Sequence, residues 1–215
     1  MEVLEAIRSR RSVKQFADTT VAKDLIEQVL EAALWAPSAQ NLQPVRFWVI
    51  TDRKVLSELE GSLYQHGLKL KSYLPILKLL VPQFKGEKGP RLFRSLRPQL
   101  FNGALALVLI GADRKSSSTY AKDCTLAAMT LMLAAEGLGL GSCYFGWTVL
   151  VNRLPEWKKR LKIPADTEIV DGIGLGYATG ERHAPARKPV PEATTWLGPD
   201  DPPGELAPSP SRQKA

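Results

Sequence analysis

Three stretches of this chain carry residue types that could do chemistry. The first is Ala36-Pro37-Ser38-Ala39-Gln40-Asn41-Leu42-Gln43-Pro44. Its Ser38, Gln40, Asn41 and Gln43 are donors and acceptors without charge, and the bracketing prolines stiffen the segment. Such a loop suits the edge of a flat heteroaromatic ring, although an ordinary helix-to-strand connection has the same composition. The second is Arg10-Arg11-Ser12-Val13-Lys14-Gln15-Phe16, basic on both sides of a hydroxyl. In extended backbone, side chains alternate, so Arg10, Ser12 and Lys14 share one side while Arg11 and Val13 face the other. Two cations and a hydroxyl on one side form a cradle for a phosphate; a solvated charge run is the alternative. The third is Gly137-Leu138-Gly139-Leu140-Gly141-Ser142. It fails the dinucleotide fingerprint G-x-G-x-x-G at Tyr144, and it joins a helix to a strand rather than the reverse, which excludes a Rossmann site. Helix C-capping explains Gly137 or Gly139, and Gly141 could let backbone N–H groups approach a ligand.

The elements that must position these stretches follow from periodicity. Val3, Leu4 and Ile7 are spaced for a short helix before the basic run. A helix over about 22–35, with Leu25, Ile26, Val29, Leu30, Ala33 and Leu34 on one stripe and Thr19 or Thr20 as cap, delivers the 36–44 loop. Val45 to Ile50 reads as a strand, followed by a helix after Thr51-Asp52. The segment 68–98 is apolar but broken by prolines and lysines; it suits a lid, with an amphipathic helix packed on the body as the other reading. Leu105 to Ala112 is a continuous apolar run of strand length, so a central strand buried on both faces is expected. From about Ser117 to Glu136 comes what reads as the longest helix, with Leu126, Met129, Thr130, Leu133 and Ala134 at core spacing. Its many small residues permit either a dimer contact or close internal packing. A strand over Cys143–Trp147, a basic helix over Arg153–Leu161 and a strand over Glu168–Gly176 complete the body. The last 27 residues hold seven of the 16 prolines, which predicts an extended tail from Pro189 onward.

Composition bounds the remaining choices. At 215 residues and 44% hydrophobic, one well-cored domain is expected. No signal peptide is visible at the charged N-terminus, and the longest apolar run is about half of what a bilayer demands, so a cytoplasmic protein is expected. Cys124 and Cys143 are accounted for as buried inert thiols rather than a redox pair, and with His66 and His183 they do not make a metal site. Between Arg53 and Arg97 stand ten Lys and Arg against Glu58, Glu60 and Glu87, which equals the whole net charge of +7. This segment would attract an anionic small molecule, an anionic membrane surface or nucleic acid. The absence of any zinc-finger, RNP or GXXG signature argues against nucleic acid.

Taken in order and at their separations, Arg10-Arg11-Ser12-Val13-Lys14, Ala36 to Pro44, Gly137 to Ser142 and Gly176-Tyr177 resemble the FMN-dependent nitroreductase family over about residues 2–188. The resemblance implies an α+β nitroreductase-like fold with a mixed central sheet flanked by helices, in an interlocked homodimer with FMN at the subunit interface. It implies NADH or NADPH as electron donor, an FMN-binding domain over 1–188 with a variable lid at about 68–98, and a separate tail over 189–215. By motif, Arg10, Ser12 and Lys14 would hold the phosphate and ribityl chain, with Arg11 in the same run but turned away by alternation. Pro37, Ser38, Ala39 and Asn41 of the other subunit would line the flavin. Leu140 and Gly141 would present backbone near the isoalloxazine, and Arg187 or Lys188 would close on the phosphate.

No acid–base pair or nucleophile triad stands out, which suits a protein whose cofactor carries the hydride chemistry. The expected function is therefore a ping-pong oxidoreductase passing electrons from NAD(P)H to a small electron-poor acceptor such as a nitroaromatic, a quinone or free flavin. Two rival readings are an FMN-binding module for flavin storage or metabolism, and a peripheral membrane flavoprotein using Lys69 to Lys85 at the interface.

Overall fold

The computed structural model describes residues 1–75, 93–180 and 183–196. Two compact units divide the chain, Met1–His183 and a second beginning at Ala184. In the first unit the order is α1 (Val3–Ser9), α2 (Lys23–Leu34), a 3-10 turn (Ala39–Asn41), β1 (Arg46–Ile50), α3 (Arg53–Ser72) and β2 (Ala106–Asp113). Then come α4 (Tyr120–Gly137), β3 (Gly141–Tyr144), a 3-10 segment (Gly146–Arg153), α5 (Pro155–Arg160) and β4 (Thr167–Gly176). The described part of the second unit holds one short helix, α6 (Val190–Ala193). The arrangement is α+β.

The strand order is β1-β2-β4-β3. All named strands pair antiparallel, so the described sheet is antiparallel where a mixed one was expected; an isolated parallel bridge between Ser12 and Ser142 lies outside the named strands. β2 is the central strand and is buried on both faces, as its unbroken apolar run requires. Leu107 and Leu109 enter the core layer beneath α3. Ala106, Val108, Ile110 and Ala112 enter the layer formed with α2 and α4. Burying a leucine in either layer stabilises the fold by roughly 1.5–3 kcal/mol. The β4 glycines are explained by the same packing: a Cβ on Gly174 would lie 2.3 Å from the Phe145 ring, and one on Gly176 would lie 2.8 Å from Phe16.

Several expectations need correction. The longest helix is α3, 20 residues, against 18 for α4. α2 is capped by Ala22 without a side-chain bond, not by Thr19 or Thr20, because Val21 is buried and carries the chain past both threonines before the helix begins. In α4 the buried stripe is Cys124, Ala127, Ala128, Leu131 and Ala135. Leu126 and Met129, expected in the core, are 46% and 39% exposed. The small residues win because they let α2 and the sheet approach closely. β3 ends at Tyr144 instead of running to Trp147, since the Thr148 N–H bonds back to the Phe145 carbonyl and opens a 3-10 segment. Residues 68–72 of the proposed lid are the last turns of α3, with Leu70 packed on the core. Phe93, at its other end, stacks against Trp147 at 5.6 Å; residues 76–92 lie outside the described residues. No helix among the described residues is long and apolar enough to cross a membrane.

Candidate functional site

The 10–14 run is fixed to the edge of β3. Val13 is buried, its N–H donates to the Ser142 carbonyl at 2.9 Å, and its own carbonyl accepts from Asn102 Nδ2 at 3.1 Å. Pinned through Val13, the run leaves Ser12 and Lys14 exposed on the other side, as alternation predicts. Arg11 faces away from them. Its guanidinium donates to the carbonyls of Arg8 (2.6 Å), Arg10 (2.8 Å) and His183 (3.2 Å), which makes it an anchor of local backbone.

Asn102 organises the surroundings. It sits at φ +53°, a conformation asparagine tolerates better than most residues. Besides Val13 it reaches Cys143 Sγ at 3.6 Å, and its Oδ1 accepts from the Arg97 guanidinium. The Cys143 thiol reports the charge collected here. Burial pushes its pKa up, while Lys14, the Asn102 hydrogen bond, Arg97 and Arg10 all pull it down. Arg97 is thus bonded into this cluster through Asn102, and Lys14 and Arg10 lie near enough to act on the thiol. Two buried polar atoms there, Arg10 Nε and Ser142 Oγ, have no partner among the described residues, and a buried orphan donor costs about 1–3 kcal/mol unless something satisfies it. This donor set fits a phosphate-bearing group.

The strand edge next to the cradle is also open. Phe145 N–H donates to Gly172, so with Tyr144 opposite Ile173 the residues of β3 bonded to β4 are the odd-numbered ones. Antiparallel alternation turns the main-chain groups of Ser142 and Tyr144 outward. Ser142 uses its carbonyl on Val13, which leaves Tyr144 as the outward position beyond the 10–14 run. Leu140 and Gly141, expected to present backbone, serve packing instead. Leu140 is buried, and its N–H closes a Schellman cap on the Ala135 carbonyl, with Gly139 at φ +79° as the left-handed residue. A Cβ on Gly141 would lie 2.6 Å from Val13.

The 36–44 loop is built differently. Gln40, Asn41 and Gln43 all have positive φ, of 51°, 56° and 47°. The turn is held by Gln43 N–H to Ser38 Oγ at 2.9 Å and Gln43 Nε2 to Asn41 Oδ1 at 2.9 Å. These bonds use acceptors, so the Ser38 O–H and the Asn41 amide N–H remain to face a ligand. Pro44 is buried, Pro37 exposed, and Ala39 donates its N–H to Asp123 Oδ1 at 3.3 Å.

Asp123 lies in the first turn of α4, whereas Ala135, which caps Leu140, lies at its end. The loop and the cradle are thus tied to opposite ends of one helix, about 18 Å apart at 1.5 Å per residue. The charge differs as well. Near the start of α4, the Cys124 thiol is pushed up to about 12 by burial, then by Asp171 and Asp123. Both of these carboxylates are buried, and each keeps one oxygen without a partner among the described residues. The Tyr144 hydroxyl donates to Asp171, and burial with that bond holds the phenol well above its usual range.

Sequence reasoning missed Asn102, Arg97 and Tyr144. The Asn102-Gly103 pair is a turn signal that marks a left-handed position, but nothing local in the sequence assigns Arg97 to the cradle. Arg187 and Lys188 belong to the second unit, where both are exposed.

The model of a family described as the Nitroreductase family matches residues 7–177. A 4-nitrobenzoate reductase from Nocardioides is 28% identical, covering 94% of this chain and 92% of that protein. The FMN reductase [NAD(P)H] of Bacillus subtilis is 27% identical, over 93% of this chain and 76% of its own. Among solved structures, a nitroreductase with bound FMN from Bacteroides fragilis superposes with a TM-score of 0.71 at 23% identity, covering 92% of this chain and all of that one.

Proposed function

Because the chain belongs to the nitroreductase family, we propose that it binds FMN and passes electrons from NADH or NADPH to a small electron-poor acceptor, a nitroaromatic, a quinone or free flavin, in a ping-pong cycle. The observation that carries this reading is the convergence of Arg10, Lys14 and Arg97 around Cys143, with the Arg10 Nε and Ser142 Oγ left unpartnered. When bound, FMN supplies the hydride and electron chemistry. The chain supplies position and field. Arg10, Ser12 and Lys14 grip the phosphate and ribityl chain, guanidinium by paired N–H groups and lysine as a point charge. Arg97, bonded to Asn102, would add positive charge to the surroundings of the bound cofactor. The outward main chain of Tyr144 offers a donor at the ring edge, while Leu140 and Gly141 hold that strand in place.

The ring is completed by Pro37, Ser38, Ala39 and Asn41 of a second copy. Among the described residues, Leu126 and Met129 are exposed and Thr130 and Leu133 half-buried on one side of α4. Their centre, between Met129 and Thr130, lies midway between Asp123 and Glu136, close to the two attachment points of loop and cradle. A two-fold axis crossing α4 there pairs the helices antiparallel and sets the loop end of one copy against the cradle end of the other. The negative surroundings of Asp123 and Asp171 then meet the cations of the cradle, which favours that register over a parallel one.

The purified protein is expected to carry FMN in stoichiometric amount, and that flavin should bleach when NADH or NADPH is added without oxygen. Flavin that binds but does not bleach would favour a storage module over an oxidoreductase. Replacing Arg10 and Lys14 with Ala should abolish FMN retention on dialysis; full occupancy in the double variant would sink the cradle. A Met129→Glu substitution should separate the subunits and release FMN together, read by light scattering and absorbance.

A further inference from the structure

At the opposite end of β4 from the cradle lies a cavity of about 450 Å³, bordered by Arg114, Asn152, Arg153, Lys158, Thr167 and Glu168. Thr167 opens β4, and β3 pairs with its other end, from Ile173 to Gly176, so the cavity and the β3 edge stand about 20–30 Å apart along the strand at 3.3 Å per residue. It is not an extension of the flavin site. Arg114 follows β2, Arg153 ends the 3-10 segment, and Lys158 comes from α5, so three separate elements each bring one cation to it.

Arg114 and Arg153 are exposed, whereas Asn152 and Lys158 are half-buried and held by main-chain bonds. Asn152 is locked by a two-way bond with the main chain of Ile169, its Nδ2 donating at 2.7 Å and its Oδ1 accepting at 2.9 Å. Lys158 Nζ donates to the carbonyls of Ala165 at 3.0 Å and Thr167 at 2.6 Å. An ammonium has three N–H bonds, so one is left over. Neither the Arg114 nor the Arg153 guanidinium has an ion-pair partner among the described residues. Glu168 accepts from the Tyr120 hydroxyl at 2.9 Å. The carboxylates of Asp166 and Glu168 both act on Lys158, yet burial first and then the charge of Arg114 keep its pKa below the ordinary lysine value. Positive charge at the cavity thus exceeds the negative charge the chain provides.

We propose that this cavity is a second anion site, taking the phosphate group of a small phosphorylated molecule between the guanidinium groups of Arg114 and Arg153, with Lys158 as the fixed charge on its wall. Guanidinium presents two parallel N–H groups to a pair of phosphate oxygens, and the volume falls within the range of small-molecule pockets, about 300–1,000 Å³. The volume exceeds the need of a bare phosphate, which is why the ligand carries a further group.

The test uses FMN-saturated protein, so that the cradle is already filled. Inorganic phosphate and pyrophosphate are titrated calorimetrically at ionic strength held constant with sodium chloride. Saturable binding is expected in the unmodified protein, weakened about tenfold or more, near 1.4 kcal/mol, in the Arg114→Gln/Arg153→Gln double variant. FMN content should not change. Absence of saturable binding with both anions, or equal binding by the double variant, overturns the proposal. If the double variant does not fold, each single variant is expected to weaken binding about threefold, and unchanged affinity in both singles likewise overturns it.

Discussion

The two ends of α4 hold the two segments proposed above as halves of a flavin site, and they are built on opposite principles. At its C-terminal end the 10–14 run is packed, with Val13 only 3% exposed and bonded on both sides to the main chain of Ser142 and the side chain of Asn102. At its N-terminal end the 36–44 loop has three residues at positive φ and side-chain bonds that stay within the loop. One half is finished by its own chain. The other keeps polar groups and an adjacent indole, Trp35 at 83% exposure, facing outward, which suits a surface completed by a second copy. The difference teaches that, in the proposed site, cofactor affinity and subunit association should be separable at the level of single residues.

The largest effect expected from breaking this contrast is at Asn102. Asn102→Ala leaves the Val13 carbonyl without its donor and puts alanine at φ +53°. A loss of about 2–3 kcal/mol in urea unfolding is expected, together with loss of FMN. Unchanged stability would show that the cradle is not held through Asn102.

The charge contrast can be read with the two cysteines. Both thiols are free, buried and raised by burial, but cations offset the shift at Cys143 and carboxylates add to it at Cys124. In FMN-free protein under native conditions, Cys143 should be modified first by a thiol reagent as pH rises, at a rate about tenfold above Cys124. Modification of Cys124 ahead of Cys143, identified by peptide mass, would contradict the assigned fields. The sign for stability follows from the same shift. Because the folded Cys124 thiol holds its proton to about pH 12 and the unfolded one only to about 9.0, its contribution is fully present below pH 9 and is lost as pH rises through that window.

The smallest effect is expected in the loop. Ser38→Ala removes the acceptor of the Gln43 N–H in an exposed turn, so urea stability should fall by about 0.5–1 kcal/mol. FMN should nonetheless dissociate faster, measured by fluorescence on dilution. A stability loss as large as that of Asn102→Ala would erase the distinction between the two halves.

The sequence by itself determined the central strand, because eight consecutive apolar residues admit no exposed face. It also determined that Ser12 and Lys14 are exposed on either side of a buried Val13, because extended backbone alternates whatever surrounds it. The end of α4 was legible from Gly137 to Gly141, since a left-handed glycine is the cheapest way to stop a helix. Which face of α4 is buried was not legible: Leu126 and Met129 are the more hydrophobic residues, but the space between α2 and the sheet admits alanine more easily than leucine or methionine. Nor could the sequence join Arg97 and Asn102 to Val13 and Cys143, residues some 40 to 90 positions apart that meet only when β3 closes on β4. Tertiary structure alone decided where the cations converge, because charges from distant segments acquire a common position only through the packing of the strands that carry them.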